Sequence, residues 1–166
     1  MTAVAKAVGK ARKRQKSGER PVPRPRPKVG RGHQFAALPF KVSEGETSVM
    51  LVTSRETGRW ILPKGWAEKA LTGPQLAAKE AFEEAGIVGN IDAASIGWYS
   101  YLKQMPRGPQ VECKVTVFPL RVERLLDEWP ERQQRARAWF TLSEAALVVT
   151  DGELVALLLR LAAPDP

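Results

Sequence analysis

Residues 65–87 read GWAEKALTGPQLAAKEAFEEAGI, and this stretch carries the strongest helix signals of the chain. Thr72 and Gln75 have the spacing of a capping box, and Pro74 suits the first turn of a helix. Gly86 suits the left-handed residue that often ends a helix. Together these residues predict a helix over residues 74–85 with a defined start and a defined end.

The predicted helix places three glutamates side by side. At 100° per residue, Glu80, Glu83 and Glu84 fall within one outward-pointing arc of about 100°, while alanines and Phe82 lie opposite and are predicted to pack on a sheet. Carboxylates at this spacing repel one another, and a divalent cation removes that repulsion. Hard cations such as Mg²⁺ and Mn²⁺ prefer oxygen ligands and are usually bound together with phosphate groups. The cluster therefore predicts a metal-assisted phosphate site, and its alternative is a solvated acidic helix face.

Length and composition limit the other kinds of chemistry. The 166 residues are 43% hydrophobic and 27% charged, which fits one globular domain. One cysteine, Cys113, excludes an internal disulfide, and one histidine, His33, excludes His-rich metal sites. No apolar run approaches the roughly 18 residues that a membrane-spanning helix needs. Carboxylates are therefore the expected catalytic groups.

Basic residues are concentrated at the N-terminus. Residues 1–32 carry eleven Lys or Arg side chains and one acidic side chain, a formal charge of +10, whereas residues 33–166 have a formal charge of −2. The first segment is rich in Pro and Arg and poor in large apolar residues, so we predict a disordered basic tail. Two roles are open for it: binding of nucleic acid or another anionic surface, and simple solubilisation. It has no apolar signal-peptide core, and a cytoplasmic location is expected.

From residue 33 onward, strand signals alternate with helix signals. Apolar runs bounded by turn formers predict six strands, and two further helices follow them. The order β-β-β-α-β-β-β-α-α favours the α/β class, a mixed sheet with helices on its faces. The predicted strands are residues 35–40, 47–53, 60–62, 93–102, 111–122 and 136–140, and the two C-terminal helices are residues 143–148 and 152–162.

Together with its preceding loop, the glutamate helix resembles the Nudix box, written G-x5-E-x7-R-E-U-x-E-E-x-G-U with U an aliphatic residue. Two positions depart from the pattern, because Leu71 stands at the mid-box glutamate and Lys79 stands at the arginine. Lys79 keeps the charge but lacks the guanidinium fork that would orient a neighbouring carboxylate. The matching residues are Gly65, Glu80, Glu83, Glu84, Gly86 and Ile87.

The resemblance covers roughly residues 35–160. Residues 60–65, and the segments 127–129 and 137–140, are similar to the subgroup of diphosphoinositol polyphosphate phosphohydrolases and diadenosine polyphosphate hydrolases. The resemblance implies a Nudix α/β/α sandwich over residues 33–166 and Mg²⁺-dependent hydrolysis of a nucleoside diphosphate linked to another group. Expected substrates are diadenosine polyphosphates, inositol pyrophosphates and nucleoside triphosphates. The alternatives are removal of pyrophosphate from RNA 5′ ends with the help of the tail, and a non-catalytic binding module.

The family resemblance also implies roles for individual residues. Glu80 and Glu84 would bind Mg²⁺ or Mn²⁺, Glu83 would bind the metal or serve as the base, and the main-chain carbonyl of Lys64 would be a further ligand. Glu80 and Glu83 are accordingly the expected catalytic residues. In related enzymes a glutamate from a later loop can contribute, and the candidates here are Glu128, Glu131 and, less favoured, Glu112.

Positive side chains are expected to bind the distal phosphates of the substrate. Lys64 is favoured because it adjoins the box, and Arg59, Lys103 and Arg107 are further candidates. The alternative for each of them is a solvated surface charge. Four aromatic residues are candidates for stacking on a base, with core packing as the alternative, and they are Trp66, Trp98, Tyr99 and Tyr101.

Overall fold

The computed structural model describes residues 30–165. The predicted basic tail, residues 1–32, therefore lies outside the described residues except for its last three positions. Those three residues belong to the first strand, β1, which begins at Gly30 and not at residue 35 as the sequence predicts.

Within residues 30–165 the chain forms eight strands and three helices, and every predicted strand and helix has a counterpart. None of these helices is both long enough and apolar enough to cross a lipid bilayer. The strands are β1 (Gly30–Ser43), β2 (Glu46–Thr53), β3 (Trp60–Ile61), β4 (Lys64–Trp66), β5 (Ile87–Ile91), β6 (Gly97–Gln104), β7 (Gln110–Leu125) and β8 (Arg137–Thr141). The helices are α1 (Gly73–Ala85), α2 (Leu142–Val148) and α3 (Gly152–Ala162).

The eight strands form one mixed sheet around β1. β1 runs parallel to β7, with Gly30 opposite Val111 and Phe40 opposite Arg121. Every other strand pair is antiparallel. On its other edge, β1 pairs with β4 through its N-terminal half and with β2 through its C-terminal end. β4 and β2 therefore follow one another along the same edge of β1.

Alternation along the central strands fills a core on each face of the sheet. Ala36 and Leu38 of β1 pack in the cluster that includes residues of α2 and α3, whereas Ala37 packs in the cluster that includes residues of α1. The sheet is therefore covered by helices on both faces. This arrangement confirms the predicted α/β/α sandwich.

Helix α1 begins and ends where its sequence signals predict. Thr72 Oγ1 accepts a hydrogen bond from the Gln75 main-chain N–H, and Gln75 Oε1 accepts one from the Thr72 N–H at 2.9 Å. Gly86 is left-handed, with φ 63° and ψ 36°. Both ends of the helix are thus fixed by local hydrogen bonds that the sequence specifies.

Two orientations on α1 differ from the prediction. Phe82 was expected to pack on the sheet, but it is 42% exposed, and Glu84 was expected to point outward, but it is only 5% exposed. Glu84 is buried because the segment between β7 and β8 covers the C-terminal end of α1 on the side of Glu84. The buried stripe of α1 therefore includes Glu84 as well as the alanines.

Two short strands have no counterpart among the predicted elements. β4 is three residues long and follows Pro63, so it has no alternating pattern of its own and is defined by pairing with β1. β5 contains Gly89, which sits at a register shift opposite β7 and whose added Cβ would lie 2.1 Å from the Arg121 carbonyl oxygen. Conversely, the strand predicted to start at residue 93 starts at Gly97.

We expect Gly86→Ala to destabilise the protein more than Gly45→Ala. Both glycines have positive φ, which costs a residue with a Cβ about 1–2 kcal/mol. An added Cβ at Gly45 meets nothing within 4 Å, whereas at Gly86 it would lie 2.8 Å from the Trp129 ring. Overpacking adds about 1–3 kcal/mol at Gly86 alone. Urea denaturation of both variants measures the difference, and equal losses would contradict this packing argument.

Candidate active site

The segment between β7 and β8 closes the C-terminal end of α1. Helix ends leave carbonyl groups without partners inside the helix. Here the carbonyls of four consecutive residues, 83–86, each accept a hydrogen bond from this segment or from the first residue of β8. The pairs are Glu131 N–H to Glu83 O at 3.0 Å, Trp129 Nε1–H to Glu84 O at 3.2 Å, Arg137 Nη1–H to Ala85 O at 2.6 Å, and Leu126 N–H to Gly86 O at 2.8 Å.

Trp129 and Arg137 make this closure rigid. The Arg137 guanidinium lies 3.8 Å from the centroid of the Trp129 ring, and its second nitrogen donates to the Leu126 carbonyl at 2.8 Å. A guanidinium over an aromatic face is attracted to the ring electrons. The main chain that carries Glu83 and Glu84 is consequently held in place by one tryptophan and one arginine.

Glu84 is the buried member of the glutamate cluster, and both of its oxygens have a donor. Arg135 Nη2 lies 3.2 Å from Glu84 Oε1, and the Lys64 main-chain N–H donates to Oε2 at 3.4 Å. Burial raises the pKa of Glu84 to about 8, an increase that the positive charge of Arg135 opposes. Burial likewise lowers the pKa of the Lys64 ammonium to about 8, against the attraction of Glu84.

Glu80 lies directly against the loop that enters α1. A Cβ added at Gly65 would be 2.3 Å from Glu80 Oε1, so a side chain at position 65 would displace this carboxylate. Burial raises the pKa of Glu80, and the nearby charge of Glu83 raises it further. The opening position of the box therefore favours glycine, because the absence of a side chain lets the Glu80 carboxylate approach the main chain beside Lys64.

The two departures from the box pattern are Leu71, in the loop before α1, and Lys79, on α1 itself. Lys79 does not contact Glu80 or Glu84 with its ammonium group, because its Nζ lies 3.1 Å from Glu68 Oε1. That hydrogen bond is the main reason why the pKa of Lys79 is raised. Glu68 and Leu71 both belong to the loop before α1, so Lys79 ties this loop to the helix.

Arg135 links Glu84 to a second carboxylate. Its Nε donates to Glu131 Oε2 at 3.2 Å, and Glu131 also pairs with Arg55, whose Nη1 lies 3.2 Å from Oε1. Arg135 Nη1 donates to the Thr53 carbonyl at 3.0 Å. Of the three loop glutamates considered from the sequence, Glu131 is the one placed beside the box.

The other two are elsewhere. Glu128 is mostly exposed and pairs with Arg132, and Glu112 lies on β7 with Arg31 at 4.0 Å. The donor chemistry suits a hard divalent cation, since carboxylate oxygens border the Lys64 main chain. However, within residues 30–165 no group of three His, Cys, Asp or Glu side chains converges closely enough to hold a metal ion. Joint coordination by Glu80, Glu83 and Glu84 therefore requires a change of rotamer in at least one of the three.

Two of the predicted phosphate-binding lysines lie on one face of the sheet beside this cluster. Lys64 Nζ is 5.3 Å from the centroid of the Tyr101 ring, and Lys103 Nζ is 5.2 Å from that of Trp66. The Tyr101 hydroxyl donates to Gln34 Oε1 at 2.7 Å, and this hydrogen bond fixes the orientation of the Tyr101 side chain. We call Lys64, Trp66, Tyr101 and Lys103 the lysine wall.

The remaining predicted substrate-binding residues are farther from one another. Arg59 lies in the turn before β3, where it donates to Thr57 Oγ1 and Thr150 Oγ1. Arg107 is exposed in the β6–β7 turn. Of the aromatic candidates outside the wall, Tyr99 is fully buried in the core, while Trp98 is exposed under Lys114 on the opposite face of the sheet.

A family model described as the NUDIX domain matches residues 32–158. The chain belongs to the Nudix hydrolase family. Nudix hydrolase 12, mitochondrial, of Arabidopsis thaliana is 34% identical over 103 residues, which are 58% of this chain and 49% of that protein. Diphosphoinositol polyphosphate phosphohydrolase 3-alpha of Mus musculus is 32% identical over 117 residues, 69% of this chain and 66% of that protein. The chain thus spans about half the length of the first of these relatives.

A solved structure supports the fold. The C. elegans Ap4A hydrolase in a binary complex superposes with a TM-score of 0.61 at 18% identity, over 79% of this chain and 95% of that one. At this identity the likeness concerns the fold alone. The sequence likeness to the mouse relative agrees with the subgroup resemblance that the sequence shows.

Three residues of the site were not among the sequence candidates: Gln34, Arg135 and Arg137. Arg135 lies just before β8 and Arg137 is the first residue of β8, and alternate arginines at such a place are typical of solvated charges. The sequence marks these two arginines only weakly, since all it shows is that they flank Ala136 and follow a turn that contains acidic residues. Gln34 is a polar residue that is 2% exposed in a strand of apolar neighbours.

In metal-free buffer we expect Glu84→Gln to become more stable relative to the wild type as pH rises from 5 to 8. The folded protein binds the Glu84 proton more tightly than the unfolded chain, because its pKa is raised to about 8. Stability from this group is therefore lost as pH rises from its unfolded pKa toward 8, and a neutral glutamine loses nothing. Urea denaturation with EDTA at several pH values measures the trend. A difference between the proteins that is constant across pH 5–8 would contradict it.

Proposed function

We propose that this protein hydrolyses a phosphoanhydride bond in a highly phosphorylated small molecule, with Mg²⁺ or Mn²⁺ as the cofactor. The observation that carries the proposal is the position of Glu84 and Glu80 against the loop at Lys64, next to the lysine wall. A phosphoanhydride needs both neutralisation of its oxygens and an oriented water. Carboxylates beside partly buried lysines suit both requirements.

The glutamates have separate roles in this proposal. Glu80 and Glu84, with the main-chain carbonyl of Lys64, hold the metal, and Glu131 is the loop glutamate placed to join them. When bound, Mg²⁺ supplies charge neutralisation at the phosphoryl oxygens. Glu83 is partly exposed at the solvent side of the cluster and is free to bind the cation or to accept the proton of the attacking water.

The lysine wall is the proposed site for the phosphates and for the group attached to them. Lys64 and Lys103 lie on the same face, so a chain of phosphates extending from the glutamates passes both. Trp66 is 39% exposed, which leaves an aromatic surface for stacking on a base. Arg59 and Arg107 are further candidates for contacts with the phosphates.

Two of the three proposed substrate classes are those named by similar proteins. The mouse relative is called a diphosphoinositol polyphosphate phosphohydrolase, and the solved structure is an Ap4A hydrolase. A diadenosine polyphosphate would use Trp66 for a base, whereas an inositol pyrophosphate would use only the positive charges. Nucleoside triphosphates remain the third class.

A substrate panel tests the proposal. Purified protein with Mg²⁺ is incubated with diadenosine polyphosphates, an inositol pyrophosphate, nucleoside triphosphates and 5′-triphosphate RNA, and the products are resolved by anion exchange. We expect turnover of one small-molecule class and a loss of about 10²-fold or more in Glu84→Gln. Absence of Mg²⁺- or Mn²⁺-dependent turnover for every member would instead favour a non-catalytic binding module.

Lys103 and Lys114 form a matched pair for testing the lysine wall. Each ammonium lies over a tryptophan ring, but the two lysines lie on opposite faces of the sheet. We expect Lys103→Ala to raise KM about tenfold, the value of one charge-assisted hydrogen bond to phosphate, with kcat little changed. Steady-state kinetics with the substrate found above should show no such change for Lys114→Ala. Equal effects of the two substitutions would argue against the wall.

A second candidate is removal of pyrophosphate from RNA 5′ ends. It is favoured by the charge of +10 in residues 1–32 and by the place where that segment joins the domain. Gly30 pairs with Val111, which pairs in turn with Lys103, so the basic segment enters beside the lysine wall. RNA binding that weakens steeply with salt and is lost on deletion of residues 1–29 would support this function. Turnover of a small substrate should not respond to the same deletion.

We propose a cytoplasmic location, as expected from the sequence. The Arabidopsis thaliana relative carries the word mitochondrial in its name. Fractionation of cells that express the full chain distinguishes the two locations.

A further inference from the structure

We propose that Arg135 is a positioning residue that takes over the task of the arginine missing from the box, by holding Glu84 in its metal-binding orientation. This inference rests on the proposed function. Its starting point is Lys79, which stands at the box arginine but pairs with Glu68 in the loop. The box itself therefore supplies no guanidinium to its glutamates, and one arrives from the segment between β7 and β8.

Arg135 is anchored on three sides. Its Nη1 donates to the Thr53 carbonyl at 3.0 Å, a rigid main-chain acceptor at the end of β2. Its Nε donates to Glu131 at 3.2 Å, and its Nη2 reaches Glu84 at 3.2 Å. The Arg135 and Glu84 side chains are both only 7% exposed. A guanidinium fixed by two acceptors besides Glu84 can hold that carboxylate in one rotamer.

Both Glu84 oxygens nevertheless keep coordinating capacity. One oxygen accepts from Arg135 and the other from the Lys64 N–H. Each carboxylate oxygen has two lone-pair sites, so one on each remains for a cation. These two hydrogen bonds therefore orient the Glu84 carboxylate and leave lone pairs for a cation, as outer partners of metal ligands generally do.

Only arginine has the geometry for this task. Its fork offers five N–H donors in fixed directions, and here three different nitrogens serve three different acceptors. A lysine at this position would keep the charge that balances Glu84 and Glu131, but its single nitrogen cannot reach the three acceptors in these directions. Charge and orientation can consequently be separated by experiment.

The test measures Mn²⁺ binding by calorimetry and by the electron paramagnetic resonance signal of free Mn²⁺, with no substrate present. We expect Arg135→Ala and Arg135→Gln to weaken Mn²⁺ binding about tenfold or more, the usual cost of removing a partner of a metal ligand. Arg135→Lys should be weakened as well. Guanidinium ion at non-denaturing concentration should restore binding to Arg135→Ala, whereas methylammonium should not.

Arg132→Ala is the matched control, because Arg132 lies in the same segment and pairs with the exposed Glu128. Its Mn²⁺ affinity should equal that of the wild type. Unchanged or tighter Mn²⁺ binding in Arg135→Gln would overturn the proposal and make Arg135 a competitor of the cation. Loss of binding that Arg135→Lys fully restores would also overturn it, since charge alone would then suffice.

Glu84→Gln separates this inference from the proposed function. If Glu84→Gln binds Mn²⁺ as tightly as the wild type, Glu84 is not a ligand and the proposed metal site itself fails. If Glu84→Gln loses binding while the Arg135 variants keep it, the metal site stands and the role of Arg135 fails. Far-UV circular dichroism and urea midpoints, recorded for every variant, show that the comparison is made between folded proteins.

Discussion

The active-site region depends on how the C-terminal end of α1 is completed. An isolated helix leaves its last carbonyls to water, and burying them without donors costs free energy for each group. In this protein the segment between β7 and β8, together with the first residue of β8, supplies the donors to residues 83–86, and Gly86 ends the helix in the left-handed conformation. Two of those four carbonyls belong to Glu83 and Glu84. The same hydrogen bonds that complete the helix therefore fix the main chain of the proposed catalytic glutamates.

Closing the helix end has an electrostatic consequence. The segment that covers α1 also removes Glu84 from water, and a buried carboxylate without a partner is strongly unfavourable. Arg135 belongs to that same segment and offsets this cost, because its guanidinium lies next to both Glu84 and Glu131. Burial still prevails, since it raises the pKa of Glu84 to about 8 despite Arg135. A bound divalent cation would oppose this rise in the pKa, because a nearby positive charge favours the ionised carboxylate.

The sequence predicts those parts of the structure that are encoded locally. The capping box at Thr72, the left-handed Gly86 and the two apolar faces of the central strands each have a short-range pattern, and the structure confirms them. β4 and β5 were missed because pairing with β1 and β7, and not their own composition, makes them strands. The burial of Glu84 was missed for a similar reason: the helical wheel describes α1 alone, whereas its cover comes from more than 40 residues later in the chain.

The proposed site combines two parts that differ in rigidity. Glu84 and Arg135 are buried and multiply bonded, whereas Trp66 and Lys103 are tied mainly to each other on the surface of the sheet. The buried part sits on α1 and on the segment just before β8, which are joined by hydrogen bonds. The exposed part sits on β4 and β6, where a side chain can change without disturbing either core. In the proposed function, reaction and recognition fall on different elements, so we expect the lysine wall to decide the substrate and the end of α1 to carry the bond-breaking step.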